Sequence, residues 1–554
     1  MPLDNWIILI AVLPMATAIM TTLLRGWISA QRVVGTLGLI ATTGLSAFFL
    51  WATAHRGPLV TQMGDWPAPF GITVAFDELS GLLLLAANFV ALACYVHAFS
   101  SLRRRTEARW FHPLAHLLMM GVNFSFLTGD LFNLFVAFEI MLMASYALLI
   151  LGGNRRVMVH AHKYVMLNLV GSTLFVLGAG LVYGMMGTLN YADLARLAAE
   201  ATAPGGPGLP VGFHAVAVML LFVFALKAAI FPLWFWLPDT YPTCPIAIGA
   251  MFSGLLTKVG VYGVCRLFPM IFAAPGFRSQ SPTMDILWWG ALATMLTPIV
   301  AAVAMRQIRR VLALTLISHI GYLALGAAMM TATALQGVVF YMVQHMVVMA
   351  GLFLCCGLIE RIGGTDDLRR LGGLQRKAPW LSAMFLLLSL SLAGVPPLSG
   401  FYGKLLIFRE GFALSSGGFG VLVGAGLITS LLTLLALGRV WVMAFWSPSP
   451  HSPVVESSAG TVLPEAPQAA QQRGVGWAYL GSVLLAAGAL AIAVTAQLGL
   501  ESAGRATAEL NHPKTYVERV LGPGTWPVSS GVVAQARSQR ARMQVEDEVA
   551  EATP

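Results

Sequence analysis

Six ionisable side chains stand in runs that are otherwise apolar. Glu139 lies in LFNLFVAFEIMLMASYALLIL and Lys227 in FALKAAIFPLWFWLP. Lys258 lies in MFSGLLTKVGVYGVC, His319 in LISHIGYLALG, His345 in YMVQHMVVMAGLFL and Lys404 in GVPPLSGFYGK. A charge inside hydrocarbon is costly unless it is paired or neutralised. Imidazoles titrate near neutral pH, and desolvation disfavours the charged form of an acid or an amine. A carboxylate, three amines and two imidazoles at such positions are the parts of a proton relay. Simpler alternatives exist for all but Lys258. Glu139 with Lys227, the nearest cation by span order, could be a static pair that fixes helix register. Lys404 could snorkel to an interface, and either histidine could simply be hydrogen-bonded. His112, His116, His160, His162 and His214 fall near span ends and read as interfacial.

These residues need elements that hold them at depth. The chain has 554 residues, is 57% hydrophobic and only 10% charged, and has a mean hydropathy of +0.77. That is a polytopic membrane protein, all-α, and not a soluble domain. Fourteen spans are predicted, at about 3–24, 31–53, 76–100, 110–129, 131–151, 161–186, 211–237, 244–272, 285–305, 308–330, 334–359, 379–411, 418–446 and 474–498. The apolar run at the N-terminus has no basic flank ahead of it and reads as a retained first helix.

Two spans carry helix-breakers at matching places. Pro232 interrupts span 7, and Pro396 with Pro397 interrupts span 12. Proline removes a backbone donor, and in a membrane the freed carbonyls need protein or water. Each break sits in the fourth span of a five-span block, spans 4–8 and 9–13. Five is odd, so consecutive blocks face opposite ways, which is the inverted-repeat pattern of transport proteins. The expected organisation is therefore 1–109 (helices 1–3), 110–272 (first five-helix repeat), 285–446 (second repeat), 447–473 (a flexible cytoplasmic loop), 474–498 (helix 14) and 499–554 (a tail). Within the tail, ARSQRARMQVEDEVAEA reads as a surface helix.

Charge sets the topology. Odd-numbered loops and their helix ends hold 19 Arg and Lys, even-numbered ones 5. The positive side is cytoplasmic, so both termini are expected on the outer face of a bacterial inner membrane. The net charge of +9 is then a topology signal, and nothing suggests nucleic-acid binding. The five cysteines show no disulfide or metal spacing. No nucleotide loop, haem-ligand pair or iron–sulfur spacing is present, so no cofactor, no metal and no enzymatic chemistry are expected.

The pattern over roughly residues 70–445 resembles the antiporter-like subunits shared by respiratory complex I and multi-subunit Mrp-type Na⁺/H⁺ antiporters. WLPD (Trp236–Asp239) and GVPPLSGFYGK (Gly394–Lys404) carry the resemblance. FEIMLMASYALL, IFPLWFWLPDTY, GTLNYADLA and GGTDDLRRLGGL are similar to the D-type subunits of the Mrp branch. The resemblance implies a fourteen-helix core with broken helices 7 and 12, and a proton path through Glu139, Lys227, Lys258 and Lys404. It implies partners as well: other membrane subunits of a hetero-oligomeric antiporter, with protons and Na⁺ or another monovalent cation as cargo. Many relatives carry Lys where this chain has Met349, so the relay on span 11 rests on His345. The rivals are a proton-pumping subunit of complex I or of an energy-converting hydrogenase, and a non-transporting scaffold.

Overall fold

The computed structural model describes residues 3–526, apart from 69, 152, 154, 204–205, 273–281, 415–418 and 449–475. Helices dominate. Those that bear on the site and the tail are α1 (Leu9–Leu23), α2 (Ile28–Arg56), α3 (Glu78–Ser101), α4 (His112–Leu127), α5 (Leu131–Ile150), α6 (Arg155–Met186) and α7 (Phe213–Ala228). There follow α8 (Ile246–Ile271), α9 (Thr283–Ala304), α10 (Ile308–Met329), α11 (Ala332–Gly363), α12 (Pro379–Ala393) and α13 (Ser399–Ala413). The last are α14 (Phe419–Trp441), α15 (Gly476–Val494), α16 (Ala496–Asn511) and α17 (Lys514–Leu521). Among the described residues, eleven helices are long and apolar enough to cross a membrane, and α7 and α12 are shorter apolar helices. A two-stranded antiparallel ribbon, β1 (Leu59–Gln62) with β2 (Thr73–Phe76), joins α2 to α3.

Side-chain caps start several helices. Asp77 accepts from the Ser80 amide at 2.9 Å ahead of α3, and Asp130 from the Asn133 amide at 2.8 Å ahead of α5. Each satisfies an amide that the first turn leaves without a partner. Asp130 does so from a buried position. The most apolar window of α8 and of α10 is 100% buried and that of α11 89%, against 33% for α2 and α15. Three helices thus form the centre, and they carry Lys258, His319 and His345.

Two spans are broken at their prolines, whereas Pro14, Pro269 and Pro298 sit inside continuous helices. α7 ends at Ala228, and Ala229 takes a left-handed conformation at φ 61°. The chain then turns through Pro232, and the Phe231 amide finds the Thr294 hydroxyl of α9 at 2.8 Å. The second break separates α12 from α13. Gly394 ends α12 at φ 91°, a region that disfavours any side chain. A Cβ on Gly400 would meet the Ser391 carbonyl at 1.9 Å, so glycine lets the two half-helices close on each other.

The tail is more structured than its sequence indicates. α16 packs on the ends of α3, α8 and α11, and α17 packs on the short helix Tyr191–Thr202; Ala503, Ala506, Leu510, Tyr516 and Val517 are buried there. Arg266, one of the five cations assigned from sequence to even-numbered loops and their helix ends, lies buried inside α8. It pairs with Asp77 at 2.8 Å, donates to Ser80 at 2.9 Å, and lies 5.9 Å from the Tyr516 ring. Arg505 of α16 pairs with Glu78 at 2.8 Å. The flexible loop expected at 447–473 and the surface helix expected within 536–552 lie outside the described residues, apart from Ser447 and Pro448.

Candidate functional site

The sequence-predicted residues gather into two clusters. The first spans α5, α6 and α7. Ser172 on α6 donates through Oγ to Glu139 Oε1, and Lys227 Nζ donates to the same Ser172 Oγ at 3.4 Å. Lys227 also donates to Asn168 Oδ1 at 3.3 Å. The expected direct ion pair is therefore a bridged one, with a hydroxyl between acid and amine. A hydroxyl both donates and accepts, so it can hand a proton on where two charges in contact would hold each other still. Glu139 is only half-buried, which corrects the expectation of an enclosed carboxylate, whereas Lys227 is 5% exposed. Lys227 sits in the last turn of α7 beside the break, where the backbone carbonyls of the helix end favour a cation.

The second cluster spans α10, α11, α13 and α14. His319 bonds through Nδ1 to the Tyr341 hydroxyl and through Nε2 to Thr433 Oγ1 at 3.0 Å. The rings of His319 and His345 stack with centroids 5.9 Å apart at an interplanar angle of 15°, and Tyr341 stacks on His345 at 5.8 Å. Both imidazoles are fully buried, and both ring nitrogens of His345 lack a hydrogen-bond partner among the described residues. Lys258 and Lys404 both lie within electrostatic range of the two rings. Lys258 is fully buried and donates to the Ser253 carbonyl of its own helix.

Lys404 does not snorkel. It is 3% exposed, and its Nζ donates at 3.0 Å to each of the Leu392 and Ala393 carbonyls and to Ser430 Oγ. It also lies 4.4 Å from the Tyr322 ring centre and 5.7 Å from that of Tyr341. The ammonium thus caps the open end of α12, where unpaired carbonyls concentrate negative charge, and reaches the histidine pair through shared tyrosines.

Other residues singled out in the sequence also find their places. Asp239 pairs with Lys163 at 3.0 Å, a local role. His112 and His116 are buried, not interfacial, and His112 bonds Tyr95 at 2.6 Å. Met349 is fully buried one turn beyond His345 and supplies no titratable group. Sequence reasoning missed Asn168, Ser172, Tyr341, Ser430 and Thr433. Their one available signal was position: each lies on a helix that carries or flanks a charged candidate.

A family model described as NADH:quinone oxidoreductase/Mrp antiporter, TM, matches residues 128–433. The D-type subunit of a Na⁺/H⁺ antiporter from Alkalihalophilus pseudofirmus is 37% identical over 451 residues, covering 81% of this chain and 89% of that protein. The protein of the same name from Bacillus subtilis is 34% identical over 451 residues, with the same coverage. Among solved structures, a chain of the Mrp complex from Dietzia sp. superposes with a TM-score of 0.83 at 28% identity, over 94% of this chain and all of that one. A chain of respiratory complex I from Thermus thermophilus superposes at 0.72 and 25% identity, over 91% of this chain and 99% of that one.

Proposed function

Because the chain belongs to the NADH:quinone oxidoreductase/Mrp antiporter transmembrane family, we propose that it is the proton-translocating D-type subunit of a multi-subunit monovalent cation/proton antiporter. The observation that carries the mechanism is the Glu139–Ser172–Lys227 bridge beside the broken end of α7. The D-type names of the curated relatives favour the antiporter branch over a redox-driven pump.

The mechanism is electrostatic. When Lys227 holds its proton, it is attracted to Glu139 across Ser172. When that proton leaves, Glu139 loses its counter-charge and takes up a proton more readily. Across a hydroxyl the separation is larger than in a contact pair: unit charges about 5 Å apart interact by ~3 kcal/mol at an effective dielectric near 20, enough to shift a protonation equilibrium by about two orders of magnitude. Lys258, His345, His319 and Lys404 continue the path through the second cluster. Buried polar nitrogens without a protein partner are commonly served by water, so His345 is the natural place for water to join Lys258 to the histidine pair. Pro232, Pro396 and Pro397 keep the two half-helix ends open beside Lys227 and Lys404.

The finer architecture belongs to the same proposal. Fourteen spans arranged as helices 1–3, two inverted repeats over 110–272 and 285–446, and helix 14 put one break in each repeat. Both termini then face outward, with the basic loops in the cytoplasm. The functional test is Na⁺-dependent proton movement in everted vesicles from an antiporter-deficient host carrying all subunits of the complex. Sodium should collapse the pH gradient only when this chain is present. Equal activity without it, with the remaining subunits still assembled, would remove it from the transport path.

A further inference from the structure

A second polar site lies away from the relay, on the side where the odd-numbered loops cluster. A cavity of about 690 Å³ opens between the start of α2, the end of α3 and the start of α15. Arg32, Arg104, Ser29 and Ser100 line it together with Trp477 and Leu480. Its two walls differ in chemistry. One is cationic and hydroxylic. The other is apolar, with the Phe99 and Trp477 rings in edge contact at 5.9 Å.

Charge at the cationic wall is positive in sum. Glu107 takes Arg32 in a two-pronged pair at 2.6 and 2.7 Å, which fixes that guanidinium and offsets its charge. Arg104 is exposed and makes no ion pair among the described residues. Arg361 of α11 reaches the same corner by donating to the Ser100 carbonyl at 3.2 Å. No side chain among the described residues caps α2, so its first-turn amides, Ser29 among them, have no acceptor within the helix. Free amides at a helix start and nearby guanidinium groups favour an anion with several oxygens.

The apolar wall decides between sources of that anion. Trp477 begins α15 and is half exposed, the interfacial placement typical of tryptophan. Leu480, one turn deeper, continues the wall into the span. A free phosphate would use only the cationic half. A basic pocket between membrane helices at the cytoplasmic level suits a lipid headgroup, with the tails running down the apolar wall.

We infer that the cavity between α2, α3 and α15 binds the phosphodiester headgroup of an anionic phospholipid, with Arg104 as its main electrostatic contact and Trp477 against the upper acyl chain.

The test uses the purified assembled complex, stripped of lipid and then exposed to equal amounts of phosphatidylglycerol and phosphatidylcholine of the same chains. Retained lipid is counted by mass spectrometry. The native complex should retain phosphatidylglycerol preferentially. Arg104→Glu should lower that retention about tenfold, since each near-surface cation contributes appreciably to holding anionic lipid. Leu480→Trp should reduce retention by filling the apolar wall, and both variants should keep native antiport in lipid-replete vesicles. No lipid preference in the native complex, or equal retention by Arg104→Glu, would overturn the inference. So would full displacement of the lipid by inorganic phosphate, which would mark a free-anion site. Zero-length crosslinking of the Arg104→Lys variant to a partner subunit's carboxylate would overturn it too, by showing that the cavity is a subunit contact.

Discussion

Replacing Lys404 by arginine separates its two duties, capping a helix end and exchanging a proton. The ammonium makes three hydrogen bonds of 3.0 Å, two of them to the last carbonyls of α12. Alanine would orphan both carbonyls at ~1–3 kcal/mol each and lose a cation–π contact worth about 1–2 kcal/mol. A total of roughly 3–8 kcal/mol threatens assembly, so a silent Lys404→Ala complex would say little about proton transfer. Arginine keeps the charge and donors for the carbonyls, at an overpacking cost of ~1–3 kcal/mol. It does not deprotonate usefully. With a pKa above about 12, its neutral fraction at pH 8 is below about one in ten thousand. If the path passes through a neutral Lys404, antiport should fall at least about a hundredfold, while the complex is recovered by native gel in near-native amount. The assay is sodium-induced dequenching of a pH-gradient dye in everted vesicles, with the amount of complex measured in parallel. Normal antiport by Lys404→Arg from pH 7 to 9 would make Lys404 a fixed charge and send the proton out by another route.

Other expectations follow from the same contacts. Ser172→Ala removes the group that joins Glu139 to Lys227, and hydrogen bonds to charged groups are worth ~1.5–3 kcal/mol each. Antiport should drop about tenfold or more, with Ser172→Thr largely restoring it; an unchanged rate in Ser172→Ala would show that the bridge is not used. Glu509 on α16 is pushed up to about 8, chiefly by burial and then by Asp77 and Glu78, against the opposing pull of Arg266 and Arg505. Its folded value lies above the ordinary carboxylate range, so docking of α16 and α17 takes up a proton. Docking is tightest at low pH and weakens as pH rises from about 4.5 to about 8. Hydrogen exchange of α16 amides, corrected for intrinsic rate, should show more protection at pH 6 than at pH 9. Glu509→Gln should remove that dependence, and the same dependence in the variant would place the titration elsewhere. For topology, a cysteine at Thr553 should be labelled by an impermeant reagent from the outer face of intact cells; labelling only after permeabilisation would invert the orientation.

How much of this was legible depended on the cost of each residue in lipid. Glu139, Lys227, Lys258 and Lys404 stand out in sequence because a charge in an apolar run demands an explanation. Pro232 and Pro396 are legible for a similar reason, since each removes a backbone donor and disfavours a continuous helix. Ser172, Asn168, Tyr341 and Thr433 carry no such signal. Hydroxyls and amides are common in membrane helices, where they bond to their own backbone, as Thr173 does to Leu169. What sets Ser172 apart is a neighbour on each side, and pairing across helices is not written in spacing. Arg266 was misplaced because a cation near a span end normally reaches water, whereas here Asp77 holds it inside. The tail was missed because α16 buries its face through Ala503 and Ala506, side chains too small to register as an apolar period.

Glu139→Gln in the assembled complex addresses the relay most directly. Glutamine keeps the size of the side chain and still accepts from Ser172, so packing and assembly should survive while the exchangeable charge is lost. Sodium-driven proton movement in vesicles carrying this variant should be abolished across pH 7 to 9. Antiport at the native rate, with the complex present in native amount, would contradict the relay and leave Glu139 and Lys227 as a structural pair.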